Sequence, residues 1–386
     1  MTSLRPLPIA AGAAAAQALP ALRAALEGEV AVLPYAAGGQ PVPVPAGAVP
    51  DPGTALVVGT SGSTGRPKLA MLPATALAAS ARATHTRLGG PGSWLLAMPP
   101  HHIAGVQVLL RCVAAGTEPG FVDLSGGFTA QAFAAAAHGF GGERRYTALV
   151  PTQLLRVLDD PDATKALAGF EAVLVGGAAT SPALRVRARE VGATVVTTYG
   201  MSETCGGCVY DGIPLHTSTI RADDEGRIHL GGQTLASGYL GRPDLTAAAF
   251  ITDGDGRRWF RTDDVGHRDA ETGRWHVDGR IDDVISTGAL KVSPRVVEDA
   301  LTSLPDITEA VVLGLEDLQW GQVVAAAVVV RAGAPQPSVP ALRDALRGRL
   351  ADHALPRRLL VLEQLPLRGP GKPDRAGIAA LFHTRP

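Results

Sequence analysis

Ten residues early in the chain, Gly59-Thr-Ser-Gly-Ser-Thr-Gly-Arg-Pro-Lys68, combine three glycines, four hydroxyls and one lysine. Backbone N–H groups in such a turn can point into a concavity, and hydroxyls add donors, so a loop of this kind following the apolar run ALVVG (55–59) suits a phosphate cradle. A flexible surface linker is the competing reading. The glycines fall at 59, 62 and 65, and Pro67 stands between the last of them and Lys68. That spacing fits neither G-x-x-x-x-G-K-[ST] nor G-x-G-x-x-G, so a polyphosphate loop of another kind remains.

Lysine is scarce, occurring only at 68, 165, 291 and 372, so 31 of the 35 basic residues are arginine. Where a chain writes nearly every cation as arginine, a lysine marks a place that needs a compact, rotatable charge. Lys68 and Lys372 stand in Gly/Pro-rich segments, whereas Lys165 in ATKALAG reads as an ordinary helix position. Cys205-Gly-Gly-Cys208 invites a zinc or redox reading. No second pair or suitably spaced histidine completes a tetrahedral site, and a pocket wall is the better expectation.

These residues need a scaffold. A length of 386 residues implies more than one domain. With 36 acidic and 35 basic residues and a formal charge of −1, nothing suggests a nucleic-acid surface, and a small-molecule partner is expected. Three cysteines fit a reducing compartment, hence cytoplasm. The opening MTSLRPLPIAAGAAAAQALPAL faintly resembles a secretory signal, but its prolines, glycine and glutamine interrupt a weakly apolar run. No apolar segment reaches the length of a membrane span.

A helix is expected over 13–28 and a strand over 29–35. The short runs 55–59, 94–98, 146–151, 172–177 and 194–200 then alternate with helical stretches such as 75–88 and 181–192, the pattern of an α/β sheet. From about 226, short strands with turn signals indicate a small β-rich subdomain. Beyond residue 280 a helix-compatible segment (297–304), strands (310–315, 323–330), a helix (339–354) and a strand (358–365) give an α+β domain. The expected organisation is a large N-terminal α/β domain, 1–279, and a small mobile α+β C-terminal domain, 280–386, with a hinge near Asp282.

Further segments stand in a fixed order: PPHHIAG (99–105), VLVGGAA, YGMSE, GGQTLASGYLGRPDLTAAAF, FRTDDVG, GRIDDVISTGALKVSPRVVE and PLRGPGKPDR. With the opening loop they resemble, from residue 54 onward, the signature of the adenylate-forming superfamily of acyl-CoA ligases, adenylation domains and luciferases. The resemblance implies two steps. A carboxylate attacks the α-phosphorus of ATP and releases pyrophosphate, then a thiol displaces AMP, so electrostatic placement should dominate.

Residue by residue, the resemblance assigns Thr60, Ser61, Gly62, Ser63, Thr64, Gly65 and Lys68 to the β- and γ-phosphates, and Gly176, Gly177, Ala178, Tyr199 and Gly200 to adenine. Ser202 falls to the α-phosphate and Glu203 to Mg²⁺. Asp264 corresponds to the ribose-binding aspartate, with Asp263 where the family has glycine, and Arg280 to its companion. Lys372 corresponds to the lysine between the attacking carboxylate and the α-phosphate, and His102 to a histidine beside the acyl pocket; an ordinary surface histidine is the equal alternative. Gly288 and Ala289 would meet the pantetheine arm of CoA. Position 286, often lysine in the family, is serine.

The segment TCGGCVYDG (204–212) resembles the acyl pocket of 2-succinylbenzoate–CoA ligases of menaquinone biosynthesis. Another small-acid CoA ligase, an enzyme loading a carrier protein, and a non-catalytic nucleotide sensor are the alternatives. Only 58 residues precede the phosphate loop, fewer than the family usually carries, which implies a trimmed N-terminal domain, exposed apolar sheet and a homodimer.

Overall fold

The computed structural model describes residues 3–60, 68–288, 290–367 and 372–384. They form two compact units. The first comprises residues 1–180, 187–221 and 229–262; the second comprises 181–186, 222–228 and 263–386.

Among the described residues, the first unit contains two whole sheets and part of a third, the β-rich one, which orders Ser218–Ala222, Arg227–Gly232, Arg258–Arg268 and Phe250–Thr252. In one whole sheet, strands Ser93–Leu96, Arg145–Leu149, Ala172–Val175 and Val195–Met201 run parallel as neighbours, as the alternating pattern predicts. Strand Gly206–Tyr210 then folds back antiparallel to the last of them. The other whole sheet orders Leu4–Ile9, Ala31–Ala36, Thr54–Thr60, Lys68–Pro73 and Gly238–Tyr239. Its first strand, LRPLPI, was not expected from the sequence. Pro6 and Pro8 lack ladder donors, and the strand occupies the sheet edge, where that loss is tolerated.

The helix expected over 13–28 is divided into a 3₁₀ segment, Gly12–Ala18, and a helix, Leu19–Leu26, because Pro20 is accepted only in a first helical turn. A large buried cluster runs through this unit, with Trp94 and Tyr146 fully buried and their rings 5.0 Å apart. Burying aromatic rings of this size contributes more than any other side chains in such a core.

In the second unit the strand Gly321–Val330, GQVVAAAVVV, is buried on both faces, which explains an apolar run without alternation. Val324, Ala326 and Val328 join Val297 and Leu301 of helix Pro294–Thr302 on one side. Val323, Ala325 and Ala327 join Ile378 and Phe382 of helix Arg375–Thr384 on the other. Each helix offers an i, i+4 pair, one apolar stripe per face. The helix expected over 339–354 stops at Leu346, two residues before Gly348, whose φ of 78° is left-handed. The division between units falls inside the strand Arg258–Arg268, after Thr262.

Candidate functional site

In the first unit the candidate residues gather at one edge. The parallel strands ending at Leu96, Val175 and Met201 deliver, respectively, His102 at the N-cap of helix Ile103–Ala115, Gly176–Ala178, and the segment Tyr199–Glu203. Carboxyl ends of parallel strands are where open α/β sheets bind ligands. His102 is exposed, with its ring centroid 4.3 Å from that of His101, whose pKa is lowered by burial.

Close backbone packing shapes this edge. A Cβ on Gly176 would lie 2.2 Å from the Thr198 hydroxyl, and one on Gly200 2.2 Å from the Gly206 carbonyl, so both positions demand glycine. Cys205 is left-handed, with φ 54°, and its carbonyl accepts hydrogen bonds from Gln107 Nε2 (2.6 Å) and Ser80 Oγ (3.2 Å). A non-glycine residue in that conformation is held there by its surroundings. The three cysteines are buried, and burial raises their thiol pKa values, Cys112 to about 11 and Cys208 to about 12. Such thiols are inert, as a pocket wall requires.

Glu203 is 6% exposed, and Tyr239 donates its hydroxyl to Glu203 Oε1 at 2.8 Å. Lys68 places Nζ 5.3 Å from the centroid of the Tyr239 ring. The strand register explains that contact. Tyr239 pairs with Ala70 across antiparallel strands, which makes Lys68 its diagonal neighbour on the same face. Thr60 pairs with Lys68 across the hairpin that carries the glycine-rich loop. Ser61, Gly62, Ser63, Thr64 and Gly65 lie outside the described residues, as does Ala289.

Glu203 is a single hard carboxylate, and the described residues contain no cluster of three or more metal-ligating side chains. A single carboxylate suits Mg²⁺ arriving with a nucleotide's phosphates, which needs only one or two protein carboxylates.

In the second unit, Asp264 and Arg280 face each other across antiparallel strands, Arg258–Arg268 and Trp275–Arg280. Arg280 also pairs with Asp282 (2.9 Å) and Asp263 (3.5 Å), and Asp263 with Arg227 (3.4 Å). Burial would lower the Arg280 pKa, but the hydrogen bond to Asp282 and the three carboxylate charges outweigh it and raise the value. Lys372 is exposed, just ahead of helix Arg375–Thr384. Ser286, where the family has lysine, accepts a hydrogen bond from Lys291 Nζ at 2.7 Å, its cross-strand partner.

One residue of consequence went unnoticed in the sequence. Arg111 is 4% exposed, and among the described residues no carboxylate pairs with it. Its guanidinium stacks over Trp94 at 4.7 Å and reaches the Tyr210 hydroxyl at 3.5 Å, while Nε has no hydrogen-bond partner. Burial lowers its pKa. One turn back on the same helix, Gln107 Oε1 also lacks a hydrogen-bond partner, and its Cγ lies 3.6 Å from where a Gly206 Cβ would stand. A lone arginine in an arginine-rich chain carries no sequence signal; only its burial exposes it.

Comparison with known proteins shows the family. Residues 13–240 match the family described as AMP-binding enzyme, and 296–372 match the AMP-binding enzyme C-terminal domain. The chain is 46% identical, over 98% of both chains, to a Mycobacterium tuberculosis protein named probable 2-succinylbenzoate–CoA ligase. It is similar to the o-succinylbenzoate CoA synthetase of Bacillus subtilis in complex with its acyl-adenylate intermediate, with TM-score 0.71 and 28% identity over 84% of this chain and 69% of that one. An amide bond synthetase from Marinactinospora thermotolerans is also similar, with TM-score 0.74 and 29% identity over 86% and 70%.

Proposed function

The chain belongs to the AMP-binding enzyme family and is an adenylate-forming acid–CoA ligase, and from that premise we propose that its acid is 2-succinylbenzoate. The observation that carries this reading is Arg111, a buried cation that no protein carboxylate neutralises among the described residues. An uncompensated buried charge is costly, and a substrate bearing a second carboxylate relieves the cost. 2-Succinylbenzoate has one carboxylate to activate and another on its ring, which Arg111 would neutralise.

In the first step an oxygen of the succinyl carboxylate forms a bond to the α-phosphorus of MgATP, and the bond to pyrophosphate breaks. We assign Lys68 with Thr60–Gly65 to the β- and γ-phosphates, Glu203 to the Mg²⁺ carried by ATP, and Ser202 to the α-phosphate. Gly176–Ala178, Tyr199 and Gly200 flank adenine, and Asp264 and Arg280 take the ribose hydroxyls. Lys372 stabilises charge at the pentavalent phosphorus, and His102 borders the acyl group. In the second step the CoA sulfur attacks the acyl carbon and AMP departs with the electron pair of the broken C–O bond. Asp282 is the hinge between the two steps. The reaction belongs in the cytoplasm, where ATP and CoA are supplied, and the working form is a homodimer, which light scattering against the 39.6 kDa chain mass tests.

The test is a carboxylate panel supplied with MgATP and CoA. 2-Succinylbenzoate should give the highest kcat/KM, with AMP, pyrophosphate and thioester in equal amounts. Its analogue without the ring carboxylate, 4-oxo-4-phenylbutanoate, should be about 100-fold poorer, the cost of leaving a buried partner unpaired. A better monocarboxylate would overturn the assignment, and thioester formed only on a carrier protein would favour the carrier-loading alternative.

A further inference from the structure

Arg375 is the first residue of its helix, where a cation opposes the helix dipole, yet it is held there by acceptors from three separate elements. Its Nε lies 3.3 Å from Asp283 Oδ2, in the turn Ile281–Asp283 that contains the hinge residue Asp282. One terminal nitrogen lies 2.9 Å from Glu298 Oε1 on helix Pro294–Thr302, and the other donates to the Val312 carbonyl on strand Ile307–Asp317. Glu298 Oε1 also accepts the Val312 N–H at 2.9 Å and is largely buried, so this is a knitted junction rather than a surface ion pair.

Arg375 follows Lys372 by three residues. The segment between them is fixed at its base by a bridge from Leu367 to Pro373 and by the Asp374 N–H donating to the Pro366 carbonyl at 2.8 Å. Asp374 in turn accepts the Gly377 N–H at 3.1 Å and starts the helix. The turn at 281–283 and the base of the lysine loop are therefore tied to one guanidinium. We propose that Arg375 is a positioning residue: its fork to Asp283 and Glu298 couples the hinge turn to the placement of Lys372, and the coupling serves adenylation but not thioester formation. The proposal rests on the ligase reading and on the role of Lys372 in the first step.

A planar fork is needed to reach three acceptors, and lysine cannot replace it. Placement errors of about 1 Å at a reacting centre cost about 100-fold in rate. Arg375→Lys, which keeps the charge, and Asp283→Asn, which removes only the hinge contact, should each lower acid-dependent ATP–pyrophosphate exchange about 10- to 100-fold. Thioester formation from pre-formed succinylbenzoyl-adenylate and CoA should stay within about 2-fold, because Lys372 has no part in it. Exchange at the wild-type rate in both variants, or an equal fall in both half-reactions, overturns the proposal. Wild-type protein measured in the same series separates the two readings: exchange by the wild type with insensitive variants refutes the clamp alone, whereas no exchange by the wild type refutes the ligase assignment beneath it.

Discussion

The two units present their candidate residues differently. In the first, Glu203 is buried against Tyr239, Lys68 rides on the same ring, and Gly176 and Gly200 sit in backbone contacts that admit no side chain. In the second, Asp263, Arg280 and Asp282 are about half exposed and paired with one another, and Lys372 is exposed. Buried, packed groups are preorganised and define where a substrate lies. Exposed ion pairs are individually worth about 1 kcal/mol or less, so their partners can be exchanged at little cost. The difference suits a first unit whose groups are fixed before a ligand arrives and a second whose exposed pairs can exchange partners.

Breaking an acting group should separate catalysis from binding most sharply. Lys372→Ala should lower acid-dependent ATP–pyrophosphate exchange about 1,000-fold, comparable with losing a main stabilising donor, while MgATP affinity by calorimetry stays within about 3-fold. A parallel loss of affinity would move Lys372 into the holding set. Arg111→Gln tests the holding side. It should cost about 100-fold in kcat/KM for 2-succinylbenzoate and little for 4-oxo-4-phenylbutanoate, and an equal loss for both acids would reduce Arg111 to a structural cation. Tyr239→Phe removes only the hydroxyl that Glu203 accepts. A hydrogen bond to a charged group contributes about 1.5 kcal/mol or more, so the melting temperature should fall by a few degrees and KM for MgATP should rise about tenfold. An unaltered KM would leave Tyr239 a packing residue.

The last effect concerns stability alone. Burial, assisted by the charge of Arg111, lowers the His85 pKa to about 4, and His85 accepts the Trp94 indole N–H at 3.3 Å. Neutral His85 is thus favoured in the folded state. Its contribution is complete above pH 6.5 and is lost as pH falls from 6.5 towards 4, by on the order of 2 kcal/mol. His85→Gln should flatten that part of the stability–pH curve measured by urea unfolding. The same slope in both proteins would place the acid sensitivity elsewhere.

The family was legible because its motifs stand in a fixed order along the chain, and the candidate residues follow from that resemblance, with four lysines in an arginine-rich chain as the compositional cue. The parallel strands were legible as well, since each is a short, largely apolar run bounded by turns. The strand Leu4–Ile9 was hidden because its prolines read as loop, and the helix Arg375–Thr384 because its ten residues are short and alanine-rich. Arg111 and Arg375 were invisible for a different reason. Their significance lies in what surrounds them, a guanidinium without a carboxylate in one case and with three acceptors in the other, and neighbours distant in sequence leave no trace in local pattern.

The account stands on attack by a substrate carboxylate at the α-phosphorus. Turnover of 2-succinylbenzoate labelled with ¹⁸O in its succinyl carboxylate, read by mass spectrometry of the nucleotide product, tests this directly. The expected result is AMP carrying one ¹⁸O for each CoA thioester formed. Thioester formed alongside unlabelled AMP, or with ADP as the nucleotide product, would contradict it.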